Sequence, residues 1–175
     1  MNTKQEELIG ELMSMLDEDD KRLCEPVIAY LLELGYTPKK HKKSTFVVSF
    51  EKKGRLIVKL EYGKQYKADP APFLTFWLRY SASDAYSEKF QEPVIKLMEA
   101  HKEKHGARMG EFDPARCCGL CKGKPHFYAH TWPDGTKDSW CGGFTMRFAH
   151  LTAEDVPEIK RHIKNQDEFY EALLV

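Results

Sequence analysis

The sequence predicts an α+β fold in which an antiparallel sheet is combined with helices. Apolar residues recur with the 3.6-residue period of a helix at both ends and in the middle of the chain. Between these segments they alternate with polar residues, as in half-buried strands. We expect two hairpin or meander units in the sheet, with the helices packed mainly on one face. The predicted segments are an N-terminal helical hairpin (1–36), a β-meander (44–80), a helix (84–105), a cysteine-rich loop with a β-hairpin (108–150) and a C-terminal helix (152–174).

The length and composition indicate a soluble globular protein. A chain of 175 residues can bury a substantial core, so we expect a single domain over residues 1–175, with two intimate halves as the alternative. The 27 basic and 27 acidic side chains balance. No run reaches the roughly 18 apolar residues that span a bilayer, and the amino terminus lacks a signal-peptide pattern, so no membrane partner is expected.

Short local signals predict where the helices begin and end. Thr3 opens a capping-box pattern before the first helix, and the acidic segment 17–20 is expected to end that helix. Gly106 is expected to stop the central helix. Thr152 and Asp155 form a second capping box, which should begin the C-terminal helix.

The strands are predicted from alternating apolar residues and from turn residues. The alternating segments 46–50 and 56–62 flank a turn at 52–54, which predicts a hairpin. The segment 73–80 has large apolar side chains at both alternating positions, which predicts a strand covered on both faces. A Pro-Asp-Gly turn at 133–135 predicts the second hairpin.

The spacing of the cysteines predicts a structural zinc site. Cys117, Cys118 and Cys121 lie close together, and Cys141 follows in the second hairpin. Four thiolates from a loop and a hairpin are typical of structural zinc sites. We take Cys117 as the fourth ligand, with His126 or His130 as alternates.

Two other interpretations of the cysteines remain open. The first is a set of thiols without metal, which stay reduced in the cytoplasm, the location that we expect for this chain. The second is thiol or metal-dependent catalysis, which would require a reactive thiolate or an open position on the metal. No Ser elbow, Rossmann fingerprint or P-loop motif occurs, so the sequence favours binding without catalysis.

Aromatic residues of the third strand predict a ligand pocket. An apolar cavity with an arginine to orient an anion is the functional interpretation, and ordinary core packing is the alternative. The candidate pocket residues are Phe73, Phe76, Trp77, Arg79 and Tyr80. The expected partner is a small molecule or a protein, and a homodimer is a further expectation.

A basic segment gives a nucleic-acid alternative. Between positions 39 and 67 there are ten basic side chains and two acidic ones. Such a hairpin could follow a phosphate backbone, although lysines also protect strand edges from pairing, and the neutral chain disfavours nucleic acid as the partner. The candidate residues are Lys39, Lys40, Lys42, Lys43, Lys52, Lys53 and Arg55.

Overall fold

The computed structural model describes residues 2–41, 45–64, 68–79, 86–111, 113 and 126–173. In these ranges the helices and strands, in chain order, are α1 (Thr3–Met15), α2 (Glu18–Glu33), β1 (Thr37–His41), β2 (Phe46–Lys52), β3 (Arg55–Gly63), β4 (Phe73–Arg79), α3 (Glu88–His105), β5 (Phe127–Thr131), β6 (Lys137–Cys141), β7 (Thr145–Ala149), a 3₁₀ turn (Ala153–Asp155) and α4 (Val156–Ala172). The predicted α+β class is confirmed.

The chain divides into two compact units. The first comprises Met1–Leu78 and Arg147–Lys164, and the second comprises Arg79–Met146 and Asn165–Val175. The first unit therefore contains α1, α2, β1 to β3 and most of β4 and β7. The second contains α3 and the β5–β6 hairpin, and α4 contributes residues to both units.

A sheet with the strand order β1-β2-β3-β4-β7 contains the predicted meander. β1 to β4 pair antiparallel with their neighbours, and in this register Leu60 lies opposite Val48 on one side and Phe76 on the other. The predicted second hairpin, β5–β6, forms a separate two-stranded sheet. β7 joins the larger sheet beside β4.

Both faces of the central strands are buried, as predicted for the third strand. One face carries Val48, Leu60 and Phe76, which form part of the core. Two polar side chains on the opposite face, Ser49 and Thr75, are also fully buried. Successive side chains of a strand point to opposite faces, so covering on both sides explains why β4 is apolar almost throughout.

The N-terminal helical hairpin forms, but the cap of its first helix is not the predicted Thr3. Asn2 is the cap of α1, because its side chain accepts the Gln5 backbone N–H at 3.1 Å while the Gln5 side chain accepts the Asn2 N–H. α1 ends at Met15, directly before the acidic segment, so the predicted position of this end is confirmed. The segment itself begins the next helix, because Asp17 caps α2 by accepting the Asp20 N–H at 2.8 Å, and acidic residues favour the positive N-terminal end of a helix.

A strand that the sequence pattern did not predict forms the edge of the larger sheet. β1 is rich in charged side chains, and it pairs along its length with β2. The sequence placed the start of the meander at residue 44, and the structure corrects it to residue 37. Pairing with a neighbouring strand here outweighs the low strand propensity of lysine and proline.

In the second unit, α3 has one buried side. Phe90, Val94 and Met98 form the buried stripe of α3, and Gly106 ends the helix with φ of 71°. Tyr128 of β5 is buried, and its hydroxyl donates to the Gln91 side chain at 2.7 Å. The predicted C-terminal stop of α3 is therefore confirmed, whereas its start lies at Glu88 instead of residue 84.

Candidate functional site

A cavity of about 200 Å³ opens in the first unit beside the start of α2. The turn after β7 also contributes to its wall, as do the end of β3 and the beginning of β4. Six side chains of the lining carry polar or aromatic groups: Asp17, Asp20, Tyr62, Phe73, Phe76 and His150. The cavity thus contains two of the predicted pocket residues, Phe73 and Phe76.

An adjoining cavity of about 380 Å³ shares two lining residues, Asp20 and Leu151, with the first. Its other walls come from the first turn of α2 and from the 3₁₀ turn that precedes α4. Asp19, Arg22 and Glu154 are the charged side chains found only in this second cavity. Together the two cavities form a groove, which we call the acidic groove.

The helix ends beside the acidic groove already have internal carboxylate partners. Asp17 caps α2, and the Asp155 carboxylate accepts the Thr152 backbone N–H at 2.7 Å at the start of the 3₁₀ turn. These bonds use N–H groups that an incoming anion would otherwise bind. The predicted capping box at Thr152 and Asp155 is confirmed, and it leaves little attraction for an anionic ligand.

The balance of charge in the acidic groove is negative. Each helix N-terminus contributes roughly half a positive charge. Against the two helix ends stand the full charges of four carboxylates, and one guanidinium offsets part of them. That guanidinium, on Arg22, lies 3.5 Å from Asp19 and is largely exposed to water. A cation is therefore favoured in this groove over an anion.

Asp20 is a half-buried carboxylate whose charge is not compensated by a described cation. Its neighbour Glu18 pairs with Lys21 at 2.7 Å, and Asp19 pairs with Arg22. Among the described residues Asp20 has no ion pair. Partial burial raises the pKa of the Asp20 carboxyl, and the adjacent charges of Asp17 and Asp19 raise it further. A positive group in the cavity would favour the ionised form of Asp20 and so oppose this rise in pKa.

Aromatic rings form the other wall of the first cavity. The ring of Phe73 stacks on His150 with centroids 5.5 Å apart, and the Arg147 guanidinium lies 5.8 Å from the Phe73 centroid. Tyr62 is half-buried and, within the described ranges, its ring has no stacking or cation contact. The Tyr62 ring is therefore available to a ligand, whereas Phe73 is already engaged.

The other predicted pocket residues do not line this cavity. Trp77 donates its indole N–H to the buried Glu61 carboxylate at 2.7 Å, and Thr45 donates to the same carboxylate at 2.5 Å. Arg79 donates to the backbone carbonyl of Gly143. Tyr80 lies outside the described residues.

A serine, a histidine and a glutamate meet on β1 and β2, but their geometry does not form a catalytic triad. The Ser49 hydroxyl lies 2.7 Å from His41 Nε2 and 3.2 Å from the Glu51 carboxylate. In a triad the acid would contact the other nitrogen of the histidine. Ser49 is also fully buried, so its oxygen cannot reach a substrate in solvent. This cluster joins two strands.

The candidate zinc ligands are only partly described. Cys117, Cys118 and Cys121 lie outside the described residues, so the predicted site stays a prediction. Cys141 ends β6 and is half-buried, and the Gly143 backbone N–H donates to its sulfur at 3.4 Å. Within the described ranges no group of three His, Cys, Asp or Glu side chains is placed to hold a metal ion.

The two alternate zinc ligands differ from Cys141 in orientation. Cys141 pairs with Phe127, and His130 pairs with Asp138, so His130 and Cys141 lie on opposite faces of the two-stranded sheet. The His126 ring is buried, with Nε2 at 2.9 Å from the Gln166 side-chain oxygen, and it stacks on Phe169 at 4.0 Å. Both observations favour a cysteine as the fourth ligand.

The described residues of the basic segment do not form a single positive stripe. Lys39 pairs with Glu51 at 2.5 Å on one face of β1, and Lys40 pairs with Glu11 at 2.6 Å on the other face. β1 is an edge strand, where lysines hinder pairing with another chain. Lys52 lies over the Tyr36 ring, 5.3 Å from its centroid. Lys42 and Lys43 lie outside the described residues; Lys53 and Arg55 flank Gly54.

The sequence did not single out Asp20, Tyr62 or His150 as site residues. One signal could have found Asp20, because an acidic run directly before a helical apolar pattern is typical of a helix start. Tyr62 and His150 come from distant parts of the chain, and only folding brings them to the same cavity.

Comparisons with protein-family models, curated proteins and solved structures found no match to this chain. None of the described helices has the length and apolar character needed to cross a membrane.

Proposed function

We propose that this chain is a binding protein and that the acidic groove takes a small organic cation, with the ammonium group of the ligand at Asp20. One observation carries the proposal: Asp20 is a half-buried carboxylate without a described ion pair, and it lines a cavity with aromatic walls. A ligand ammonium would supply the missing opposite charge. The Tyr62 ring would add about 0.5–1 kcal/mol through a cation–π contact at such a partly exposed site.

An organic cation fits this groove better than a metal ion. Hard metal ions require several oxygen ligands at once, and calcium takes six to eight of them. The carboxylates here lie along one groove without converging, since no described group of three could hold an ion. An alkylammonium group needs only one carboxylate and has apolar carbon atoms that suit the walls formed by Leu23 and Phe76.

The size of the groove limits the ligand to a small molecule. The second cavity, about 380 Å³, falls within the general range of small-molecule sites, roughly 300–1,000 Å³, and the adjoining first cavity adds about 200 Å³. The second cavity also contains the Glu154 carboxylate. A linear molecule with an amine at each end would therefore meet a carboxylate in each cavity, and we expect diamines to bind more tightly than monoamines of equal length.

Calorimetric titration with 1,4-diaminobutane and with butylamine tests this function. We expect Asp20→Asn to weaken diamine binding at least tenfold, because the variant keeps the side-chain shape and removes the charge. Asp19→Asn is the matched control, since Asp19 lies in the same helical turn but already pairs with exposed Arg22. It should change the affinity less than threefold. Equal binding by the Asp20→Asn variant and the unaltered protein would contradict the proposal.

We also propose that Cys117, Cys118, Cys121 and Cys141 hold a structural zinc ion in the second unit. Two observations support the proposal. The Gly143 N–H bond to the Cys141 sulfur would stabilise a thiolate at that position. Gly142 donates its N–H to the His126 carbonyl at 2.9 Å, which fixes the backbone next to Cys141 at the end of β6. Four protein ligands would leave no position for water, so this zinc would be structural.

A further inference from the structure

Two histidine side chains lie next to each other at the C-terminal end of α3. In sequence they are separate from the residues of the acidic groove and from the cysteines. His101 and His105 are four residues apart, which places them on one face of the helix. Their ring centroids lie 4.5 Å apart, with 33° between the ring planes. The backbone between them is regular helix that ends at Gly106, so their spacing is held by hydrogen bonds of the main chain.

Both imidazoles are available to a ligand. His105 is exposed and His101 is half-buried. The Nδ1 atom of His101 is buried, with no hydrogen-bond partner among the described residues, whereas its Nε2 atom is not among the buried atoms that lack a partner. In the part of the chain that the structure describes, neither ring pairs with another group. A ligand that approaches from solvent would therefore meet Nε2 of His101 and the ring of His105.

The chemistry of this pair suits a divalent transition metal ion. Imidazole nitrogen is a preferred ligand of nickel, copper and zinc, whereas calcium and magnesium prefer oxygen. A helix holding two histidines four residues apart presents both to one ion, as in helical zinc motifs. The C-terminal end of a helix also carries about half a negative charge, which favours a cation there.

The neighbouring charges and the missing support limit the affinity. Lys102 and Lys104 lie in the same turn and repel a cation, although both are exposed and screened by water. His101 Nδ1 has no described acceptor to fix its tautomer, whereas tightly held metal ligands usually have one. Binding therefore depends on the chelate of two imidazoles, with water in the remaining positions.

We infer that His101 and His105 form a second metal site, a two-histidine chelate for a divalent transition metal ion of the nickel, copper and zinc class. This site is independent of the acidic groove and of the proposed cysteine site. Affinities should follow the general order for nitrogen ligands, with nickel bound more tightly than cobalt and cobalt more tightly than manganese.

Calorimetric titration of the whole protein with Ni²⁺ tests the inference. We expect His101→Ala and His105→Ala each to weaken Ni²⁺ binding at this site at least tenfold, because one imidazole cannot chelate. All variants keep the five cysteines, so binding at thiolates is common to them and does not affect the comparison. Circular dichroism checks that each variant retains its helices.

A register-shifted variant provides the sharpest control. The double substitution Glu103→His with His105→Ala keeps the number of histidines but places the two imidazoles two residues apart, on different sides of the helix. It should bind Ni²⁺ as weakly as the single variants. Lys104→Ala removes a repelling charge and should bind at least as tightly as the unaltered protein. Ni²⁺ affinity that is the same in the unaltered, single and register-shifted proteins would overturn the inference.

Discussion

Burial determines the acid–base chemistry of single side chains in the first unit. His162 of α4 is almost fully buried near Phe148, and this burial lowers the pKa of His162 to about 3. Asp20 shows the opposite direction, because burial and neighbouring carboxylates raise the pKa of its carboxyl. In both groups the neutral form is favoured in the folded protein. Ionised Asp20 therefore costs stability at neutral pH, and a bound cation would recover that cost.

The His162 shift predicts how stability changes with acid. The unfolded chain binds a proton on His162 near pH 6.5, whereas the folded protein does not until about pH 3. The stability that depends on neutral His162 is therefore fully present above pH 6.5, and it is lost as the pH falls from there towards 3. Between pH 7 and 5 the loss should be on the order of 2 kcal/mol from this group.

Urea unfolding at pH 7 and pH 5 measures this loss. We expect His162→Leu to lose less stability than the unaltered protein over that interval, because the titrating group has been removed. His105→Leu is the control, since His105 is exposed, and its pH dependence should match that of the unaltered protein without metal. An unchanged pH dependence in the His162→Leu variant would show that burial does not control this group.

Local backbone geometry determines how single elements form. The two-residue turn between β2 and β3 consists of Lys53 and Gly54, with φ of 51° and 75°. Positive φ at both positions is typical of the turn that matches the twist of a tight hairpin. The sequence predicted this hairpin correctly because turn residues act locally. It missed β1, whose charged residues become a strand only because β2 offers a pairing partner.

Replacement of glycine by alanine should have opposite effects in the β2–β3 turn and in helix α1. Gly54→Ala should lower the free energy of unfolding by about 1 kcal/mol, because alanine disfavours positive φ. Gly10→Ala in α1 should raise it by about 0.5–1 kcal/mol, because alanine favours helix. A β-carbon at either position would have no atom within 4 Å, so packing does not contribute. Urea unfolding measures both, and a stabilising Gly54→Ala would contradict the assigned turn.

On the scale of the whole molecule, tryptophan fluorescence can follow the unfolding of each compact unit separately. Trp77 belongs to the first unit, and Trp132 and Trp140 belong to the second, which also contains the proposed cysteine zinc site. A Trp77→Phe variant therefore reports on the second unit alone. A Trp132→Phe/Trp140→Phe variant reports on the first unit.

Removal of zinc with a chelator should destabilise the second unit. Structural zinc contributes directly to folding, so the urea midpoint seen by Trp132 and Trp140 should fall, and added zinc should restore it. Cys118→Ser should lower the same midpoint and remove the response to zinc. Cys24→Ser, at a buried thiol of the first unit, should not remove that response. A midpoint that is unaffected by chelator in the Trp77→Phe protein would contradict the zinc proposal.

The sequence by itself determined the fold class, the positions of the hairpins and most helices, and the cysteine segment as the candidate for metal binding. These features depend on local periodicity and turn residues, which act over a few positions. Only the tertiary structure decided that the acidic segment at the start of α2 faces Tyr62 and His150, and that β1 forms the sheet edge. Burial and pairing between distant segments create that cavity and that edge, and the local pattern of residues does not predict such long-range contacts.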